Sequence, residues 1–454
     1  MDSQTIVAPM TPAGVSAVAA LRVSGTRVCD VVRRLFGDKA AENLVPRMAN
    51  LGTAHDPVTG KVLDSLLYIY FKTPNSYTGE DVLELYPHGN PLIVRDLLQA
   101  IRSIDGVRLA EPGEYTRRAF LNGKMDLTQA ESVADVIHSA NRAELENAHR
   151  LLGGALSKKI ATLTAQVKDI SARLELDVDF AEEEADPDYS GWESRFISIR
   201  ETVAQLLESF RGKASLSRLP LAVLYGAPNA GKSSLVNALL GEDRVLVSNV
   251  PGTTRDFVEV RLFLDGGEIR LVDTAGIADK ATDELDALSM KKSREILEEA
   301  DLKILVVDGC GPSAGSGTLC QNLQSDVVVY SKCDLLNSKN EKILNSEIQN
   351  PNALSISSKT GEGLAELKSF MNAALFKKNE NQEDLWITSE REKACLEDAV
   401  AGVDRVLDLL RTNPAVELLA FEMQLVRRAL QSITGEISSE DILQSIFAGF
   451  CIGK

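Results

Sequence analysis

The stretch from Leu221 to Gly241, LAVLYGAPNAGKSSLVNALLG, decides how the chain is read. Leu221 to Tyr225 form an apolar run of the length expected for a strand buried on both faces of a parallel sheet. Gly226-Ala227-Pro228-Asn229-Ala230-Gly231-Lys232-Ser233 follow with the spacing G-x-x-x-x-G-K-[ST], and an amphipathic helix begins at Ser233. Glycines at those positions let the backbone curl so that successive N–H groups aim at phosphate oxygens, at the positive end of a helix. In this pattern Lys232 reaches the terminal phosphates and the Ser233 hydroxyl holds Mg²⁺. A chance glycine turn would lack either the strand or the helix; here both flank it, which marks a nucleotide phosphate site.

Working outward, a chain of 454 residues is too long for one core, and two to four domains are expected. Charged residues make up 25% and hydrophobic ones 44%, the balance of an ordinary water-soluble chain. No apolar run reaches bilayer length, and MDSQTIVAPMTPAGV has no basic residue before Arg22, so neither export nor an organellar transit peptide is expected. The six cysteines lack CxxC spacing and the four histidines are scattered, which argues against a disulfide framework or a zinc site. A cytoplasmic protein is the expectation. The net charge of −17 disfavours generic nucleic-acid binding, because such binding needs Lys and Arg to neutralise phosphates. Any nucleic-acid substrate is then gripped weakly or held in part by a partner.

Residues 1–116 read as a small α+β domain. Strands are expected over Ser16 to Val23, Leu66 to Phe71 and Asp81 to Tyr86, and a helix over Leu92 to Ile104. From Glu114 apolar residues step by threes and fours from Leu127 to Leu174, with Gly153-Gly154 as a break. Residues 117–215 are therefore the first part of a helical domain, and the acidic run Ala181 to Asp188 is most simply a solvated helix end. Residues 216–376 alternate strand and helix, with strands at Leu221–Tyr225, Val258–Leu264, Glu268–Val272, Ile304–Val307 and Val327–Tyr330, as in a doubly wound α/β domain. Residues 377–454 return to helix, the last one opened by Ser438-Ser439-Glu440-Asp441. Helices on both sides suggest an α/β domain inserted into one helical domain.

Four further stretches select guanine. Asp273-Thr274-Ala275-Gly276 follows a strand; its aspartate can hold Mg²⁺ through water, and the Gly276 N–H can sense a γ-phosphate. Thr253 and Thr254 lie in the loop Val247 to Asp256, where a threonine completes a Mg²⁺ shell when the γ-phosphate is present. Ser331-Lys332-Cys333-Asp334 follows an apolar strand, and Asp334 can accept both guanine N–H donors that adenine lacks. Ser357-Ser358-Lys359 can support the base through a backbone N–H. Each is weak alone; in this order, at successive strand ends, they point to GTP.

With these motifs in place the chain resembles the MnmE (TrmE) family of tRNA-modification GTPases, of the TrmE-Era-EngA-like class. The resemblance rests on residues 226–234 and on Pro251-Gly252-Thr253-Thr254-Arg255-Asp256. Outside the α/β region it rests on Asn75 to Asp81, Pro112 to Lys124, Ile433 to Glu436 and the terminal Phe450-Cys451-Ile452-Gly453-Lys454, which other GTPases lack. It implies an N-terminal folate-binding and dimerisation domain, an all-α helical domain in two parts, and an inserted Ras-like P-loop GTPase domain. It implies a homodimer that works with the flavoprotein MnmG (GidA), in a heterotetramer or larger complex. The pair would place an aminomethyl or carboxymethylaminomethyl group on the wobble uridine of certain tRNAs, with a tetrahydrofolate derivative (5-formyl or methylene form) as one-carbon source. By the same likeness Arg22, Glu84, Lys124 and Lys454 contact the folate. Glu84 suits pterin N–H groups and the cations suit glutamate carboxylates.

The resemblance also implies K⁺ in place of an arginine finger, with Asn229, Ser248, Val250 and Thr253 as ligands, in a site completed when two GTPase domains meet. Mg²⁺ falls to Ser233 and Thr254. The nucleotide-contacting set is Asn229 to Ser234, Ser248 to Thr254 (Asn249, Pro251 and Gly252 included), Asp273 to Gly276, Ser331, Lys332, Asp334 and Ser357 to Lys359. The glutamine that Ras-like enzymes use after DxxG is replaced by Ile277, and the resemblance implies instead a water-orienting acid about a dozen residues after Asp273, for which Asp286 is the best match, with Glu284 as competitor. Ser331 stands where the family commonly has asparagine, which predicts guanine affinity weaker by about 1 kcal/mol for one lost hydrogen bond. Cys451 is either an apolar C-terminal anchor behind Ile446, Phe447 and Phe450 or, by the family likeness, a thiol at the modification centre. A regulatory GTP-binding ribosome-assembly factor would share the 226–276 motifs, but such factors usually carry a basic RNA-binding appendage in place of this acidic balance.

Overall fold

In the computed structural model the described residues are 4–179, 191–212, 219–241, 257–274, 295–310, 325–335, 352–376, 385–412 and 415–453. They divide into two units: residues 1–138, 147–210 and 385–454 form one, and 139–146 with 211–384 the other.

The first unit opens with a six-stranded sheet in the order β4-β5-β6-β3-β1-β8, where β1 is Thr5–Pro9, β3 Leu21–Ser24, β4 Ala49–His55, β5 Val62–Phe71, β6 Val82–Tyr86 and β8 Val107–Leu109. All neighbours are antiparallel except β1 and β8. Helices Val28–Phe36 and Pro91–Arg102 cover it through Val28, Val31, Val32, Leu97 and Ile101, which alternate at helical spacing and are fully buried. The expected single strand Ser16 to Val23 is two. Ser16–Val18 (β2) is exposed and pairs with His88–Gly89 (β7) in a ribbon, and β3 resumes at Leu21 in the main sheet.

The helical part of this unit has one core drawn from both sides of the inserted unit. Leu156, Ile160, Leu163, Val167 and Ile170 of helix Ala155–Asp179 meet Phe196, Ile199 and Val203 of helix Trp192–Glu208. They also meet Leu396, Val403, Met423, Val426 and Leu430 of helices Glu390–Leu410 and Val416–Thr434. The apolar stepping from Leu127 is broken at Gly153-Gly154, as expected, and also at residues 139–141, between helices Leu127–His138 and Arg142–Leu152. There, in residues of the second unit, Asn141 Oδ1 accepts from Glu144 N at 2.9 Å while a Glu144 carboxylate oxygen accepts from Ala140 N, a reciprocal cap of the capping-box kind reaching one residue further back. Helix Glu440–Ala448 starts at the expected place, with Ser439 accepting from Ile442 N.

The second unit is a six-stranded sheet in the order β10-β11-β9-β12-β13-β14. The strands are β9 Leu221–Tyr225, β10 Phe257–Leu264, β11 Gly267–Thr274, β12 Leu302–Asp308, β13 Val327–Ser331 and β14 Ala353–Ile356. Only β10 is antiparallel to its neighbour. Ala222 and Leu224 face a core closed by helices Lys232–Gly241 and Leu364–Leu375, while Leu221, Val223 and Tyr225 face the other way onto Leu297. Burial on both faces is why β9 reads as an unbroken apolar run. Among the described residues no helix is long and apolar enough to cross a membrane.

Candidate functional site

The phosphate loop is built by backbone geometry that its sequence permits. Leaving β9, Gly226 has φ +147° and lies so close to β12 that a Cβ would sit 2.2 Å from the Val306 carbonyl oxygen. No other residue fits there. Asn229 follows in the left-handed region at φ +63°, and Gly231 at φ +94°. Lys232 opens the helix, and its chain folds back over the loop so that Nζ donates to the Gly226 and Ala227 carbonyls at 3.0 Å each. Burial lowers the Lys232 pKa, and Asp273 works against that shift.

Ser233 and Asp273 meet in front of this loop. Ser233 Oγ donates to Asp273 Oδ2 at 2.6 Å, and Thr274 Oγ1 fixes the end of β11 by donating to the Leu224 carbonyl at 2.9 Å. Asp273 is buried, and its Oδ1 has no hydrogen-bond partner among the described residues. A buried carboxylate oxygen that accepts nothing is costly unless a cation or donor meets it. The all-oxygen set of hydroxyl and carboxylate suits a hard divalent ion such as Mg²⁺.

The base loop is tied to the phosphate loop side chain by side chain. Ser331, at the end of β13, is buried, and its hydroxyl lies 2.5 Å from the Ala230 carbonyl and 3.2 Å from that of Val307. Lys332, at φ +61°, reaches Asn229 O at 3.1 Å and Asp308 Oδ2 at 2.6 Å. Asp308 thereby becomes a site residue that the motif search passed over, although an acid closing an apolar strand was the available signal. Burial would raise the Asp308 carboxyl, but Lys332 and the Cys310 N–H hold it below its ordinary value. Asp334 Oδ1 accepts from Ser357 Oγ at 2.8 Å, and that hydroxyl in turn lies 3.3 Å from Lys359 N and 3.2 Å from Thr360 N. A carboxylate fixed in this way can present its other oxygen to the paired N–H donors of a guanine. Ser358 sits in the same turn, and Ala230 and Ser234 in the phosphate loop and its helix. Ser248, Asn249, Val250, Pro251, Gly252, Thr253, Thr254, Ala275, Gly276, Glu284 and Asp286 lie outside the described residues.

The first unit has a second polar centre. Arg22 of β3 and Glu84 of β6 are cross-strand partners, with Arg22 Nε and Nη2 at 3.1 and 2.8 Å from Glu84 Oε1. Tyr86 donates to Glu84 Oε2 at 2.5 Å, and burial together with Glu84 pushes the Tyr86 hydroxyl up to about 12. The Arg22 guanidinium lies over Tyr77 at 4.9 Å and near Tyr115 at 5.7 Å from the ring centroids. Arg22 Nη1 is buried without a partner among the described residues. An orphan guanidinium donor on an aromatic floor fits a flat ligand that carries acceptors. Lys124 is exposed and donates to the Pro74 carbonyl at 2.7 Å rather than to this pair. Lys454 lies outside the described residues, one residue after Gly453, whose own Cβ would fall 2.2 Å from the Pro9 carbonyl at the end of β1. Cys451 is exposed, with Sγ 3.8 Å from His138 Nε2.

Comparison with known proteins places this geometry in a lineage. The family model described as GTP-binding protein TrmE N-terminus matches residues 5–124, and that of the MnmE helical domain matches residues 127–451. The chain belongs to the MnmE family. It is similar to the tRNA modification GTPase MnmE of Dichelobacter nodosus, 37% identical over 100% of this chain and 99% of that one. The MnmE of Syntrophus aciditrophicus is 38% identical over 100% of both chains, and that of Chlorobium chlorochromatii 36% over 100% of this chain and 98% of that one. The resemblance drawn from the terminal and inner motifs therefore holds over the full length, as does the multidomain α/β and α fold class. MnmE membership also accounts for a P-loop sheet carried in one chain with an N-terminal domain and a helical domain.

Proposed function

We propose that this chain is a potassium-activated GTP hydrolase of the cytoplasm that drives wobble-uridine modification of certain tRNAs. It would do so as a homodimer, together with the flavoprotein MnmG (GidA). The product is a carboxymethylaminomethyl or aminomethyl uridine, and a tetrahydrofolate derivative supplies the one-carbon unit. The observation that carries this reading is the pairing, in one chain, of a nucleotide cradle with a separate buried arginine whose Nη1 meets no acceptor among the described residues.

In this reading Lys232 turns from the loop carbonyls to the β- and γ-phosphates, and the loop N–H groups hold the remaining oxygens. Ser233 and Thr254 would hold Mg²⁺, with Asp273 acting through water, and the ion would supply charge neutralisation at the phosphates. Asn229, Ser248, Val250 and Thr253 hold K⁺, and Asp286 or Glu284 orients the attacking water. Asp334 reads guanine while Ser357 keeps it aimed. Arg22 and Glu84 bind the pterin end of the folate, and Lys124 and Lys454 serve its carboxylates. Cys451 lies at the modification centre, and GTP turnover times that chemistry.

The test is GTP turnover in KCl and in NaCl at equal ionic strength. The cation stands where an arginine finger, worth about 10³–10⁵ in rate, acts in other GTPases, so a rise of roughly tenfold or more in KCl is expected. Asn229→Ala should bring the two rates together without abolishing GDP binding. Equal wild-type rates in the two salts would remove the potassium assignment.

A further inference from the structure

The terminal thiol has a partner that neither the motifs nor the comparisons assign. Cys451 Sγ and His138 Nε2 are 3.8 Å apart. The other ring nitrogen, Nδ1, lies 2.9 Å from the Ala134 carbonyl oxygen. A carbonyl can only accept, so Nδ1 carries the proton of the neutral ring and Nε2 presents its lone pair to the thiol. His138 closes helix Leu127–His138.

Both partners are mounted on one packed cluster. Phe447 and Phe450 are buried against Leu127, Ala130 and Val133, on the helix that carries His138. Beyond the thiol, Gly453 at φ +99° lies flat against the Pro9 carbonyl. The backbone on either side of Cys451 is thereby fixed, as a preorganised pair requires. Cys310 Sγ faces the Lys332 carbonyl, which takes no proton, and burial together with the Glu362 carboxylate beside Cys333 pushes that thiol's pKa up rather than down.

We infer that His138 is a positioning residue for Cys451, accepting the Sγ proton at Nε2 and leaving a thiolate–imidazolium pair. Nδ1 keeps its own proton, no electrons change hands, and the sulfur gains a nucleophilic lone pair. This rests on the reading of Cys451 as part of the modification centre.

The experiment follows alkylation of the full-length protein by iodoacetamide at pH 7, quantified peptide by peptide by mass spectrometry. Cys29, which is also exposed, serves as internal control. His138→Ala should slow Cys451 on the order of tenfold, since the thiolate is the reacting species, and leave Cys29 unchanged. Added imidazole should restore the Cys451 rate in that variant, because a lost base can be replaced from solution while lost packing cannot. Equal Cys451 rates in wild type and variant, a faster rate in the variant, or a slower one that imidazole fails to rescue would each overturn the assignment. His138→Gln provides the same comparison with a neutral, polar side chain retained. Wobble-uridine analysis of tRNA from cells carrying Cys451→Ser tests the underlying reading separately. Normal product there would remove Cys451 from the reaction whatever the alkylation rates show.

Discussion

At the scale of single residues, Ser331 makes contacts that its position in the sequence did not disclose. Read as a shortened asparagine, it stood for a lost contact to the base. Its hydroxyl points inward and bridges the phosphate loop at Ala230 O and the strand end at Val307 O. Ser331→Ala would leave those carbonyls without this donor, at a cost of about 1 kcal/mol, or roughly fivefold in GDP affinity. The change should appear mainly as faster release of a fluorescent GDP analogue in stopped flow. An unchanged release rate would mean that the tether carries no weight. Glu84 invites the complementary experiment in the other unit. Glu84→Gln preserves side-chain size and a carbonyl acceptor for Arg22 but loses the charge that would pair with pterin N–H groups. Calorimetry of the intact protein with 5-formyltetrahydrofolate should show binding to wild type and none to the variant, with both folded by circular dichroism. Wild-type affinity in the variant would remove Glu84 from the folate site.

At the scale of elements, Gly402 shows how closely two helices cross. A Cβ at Gly402 in helix Glu390–Leu410 would meet Val426 Cγ2 of helix Val416–Thr434 at 2.8 Å. Alanine is favoured over glycine in a helix by about 1 kcal/mol, whereas overpacking a filled core costs about 1–3 kcal/mol. The methyl of a β-branched valine cannot swing away cheaply, so the packing effect should win. Gly402→Ala is expected to lower the thermal midpoint by several degrees, and Val426→Ala in the same chain to recover part of the loss, both read by calorimetry. A more stable Gly402→Ala protein would show that the helices part without strain. The same elements show what the sequence made legible. Helix-period apolar steps and the run Leu221–Tyr225 are one-dimensional signals, and the core helices and β9 follow them. The break at residues 139–141 escaped because Ile137 and Leu145 keep the apolar step in phase across it, although the Asn141-x-x-Glu144 box was there to be read. β4 escaped because it is an edge strand with a mostly exposed pattern and Gly52 in its middle, so little alternation marks it. The phosphate loop was legible because its geometry is local. The pairings of Asp308 with Lys332, of His138 with Cys451 and of Arg22 with Tyr77 and Tyr115 were not, since they join positions far apart in the chain.

At the scale of the whole molecule, the charge balance constrains how the chain meets its nucleic acid. With a net charge of −17 the protein as a body repels tRNA, and any grip must come from local cations. The buried Arg22 and the base-loop Lys332 are already engaged by Glu84 and Asp308, which leaves little for phosphates at either centre. Binding of tRNA by this chain alone should therefore be no tighter than non-specific complexes, about 10⁻⁴–10⁻⁶ M at physiological salt, and should weaken further as KCl rises. Adding the flavoprotein proposed above as partner should tighten the complex by orders of magnitude if that component supplies the positive surface. The measurement is a titration of labelled tRNA by fluorescence anisotropy at two or three salt concentrations, with and without partner. A nanomolar, salt-insensitive complex with this chain alone would overturn the division of labour. It would require a shape-specific RNA site, because a salt-insensitive grip cannot be carried mainly by phosphate contacts.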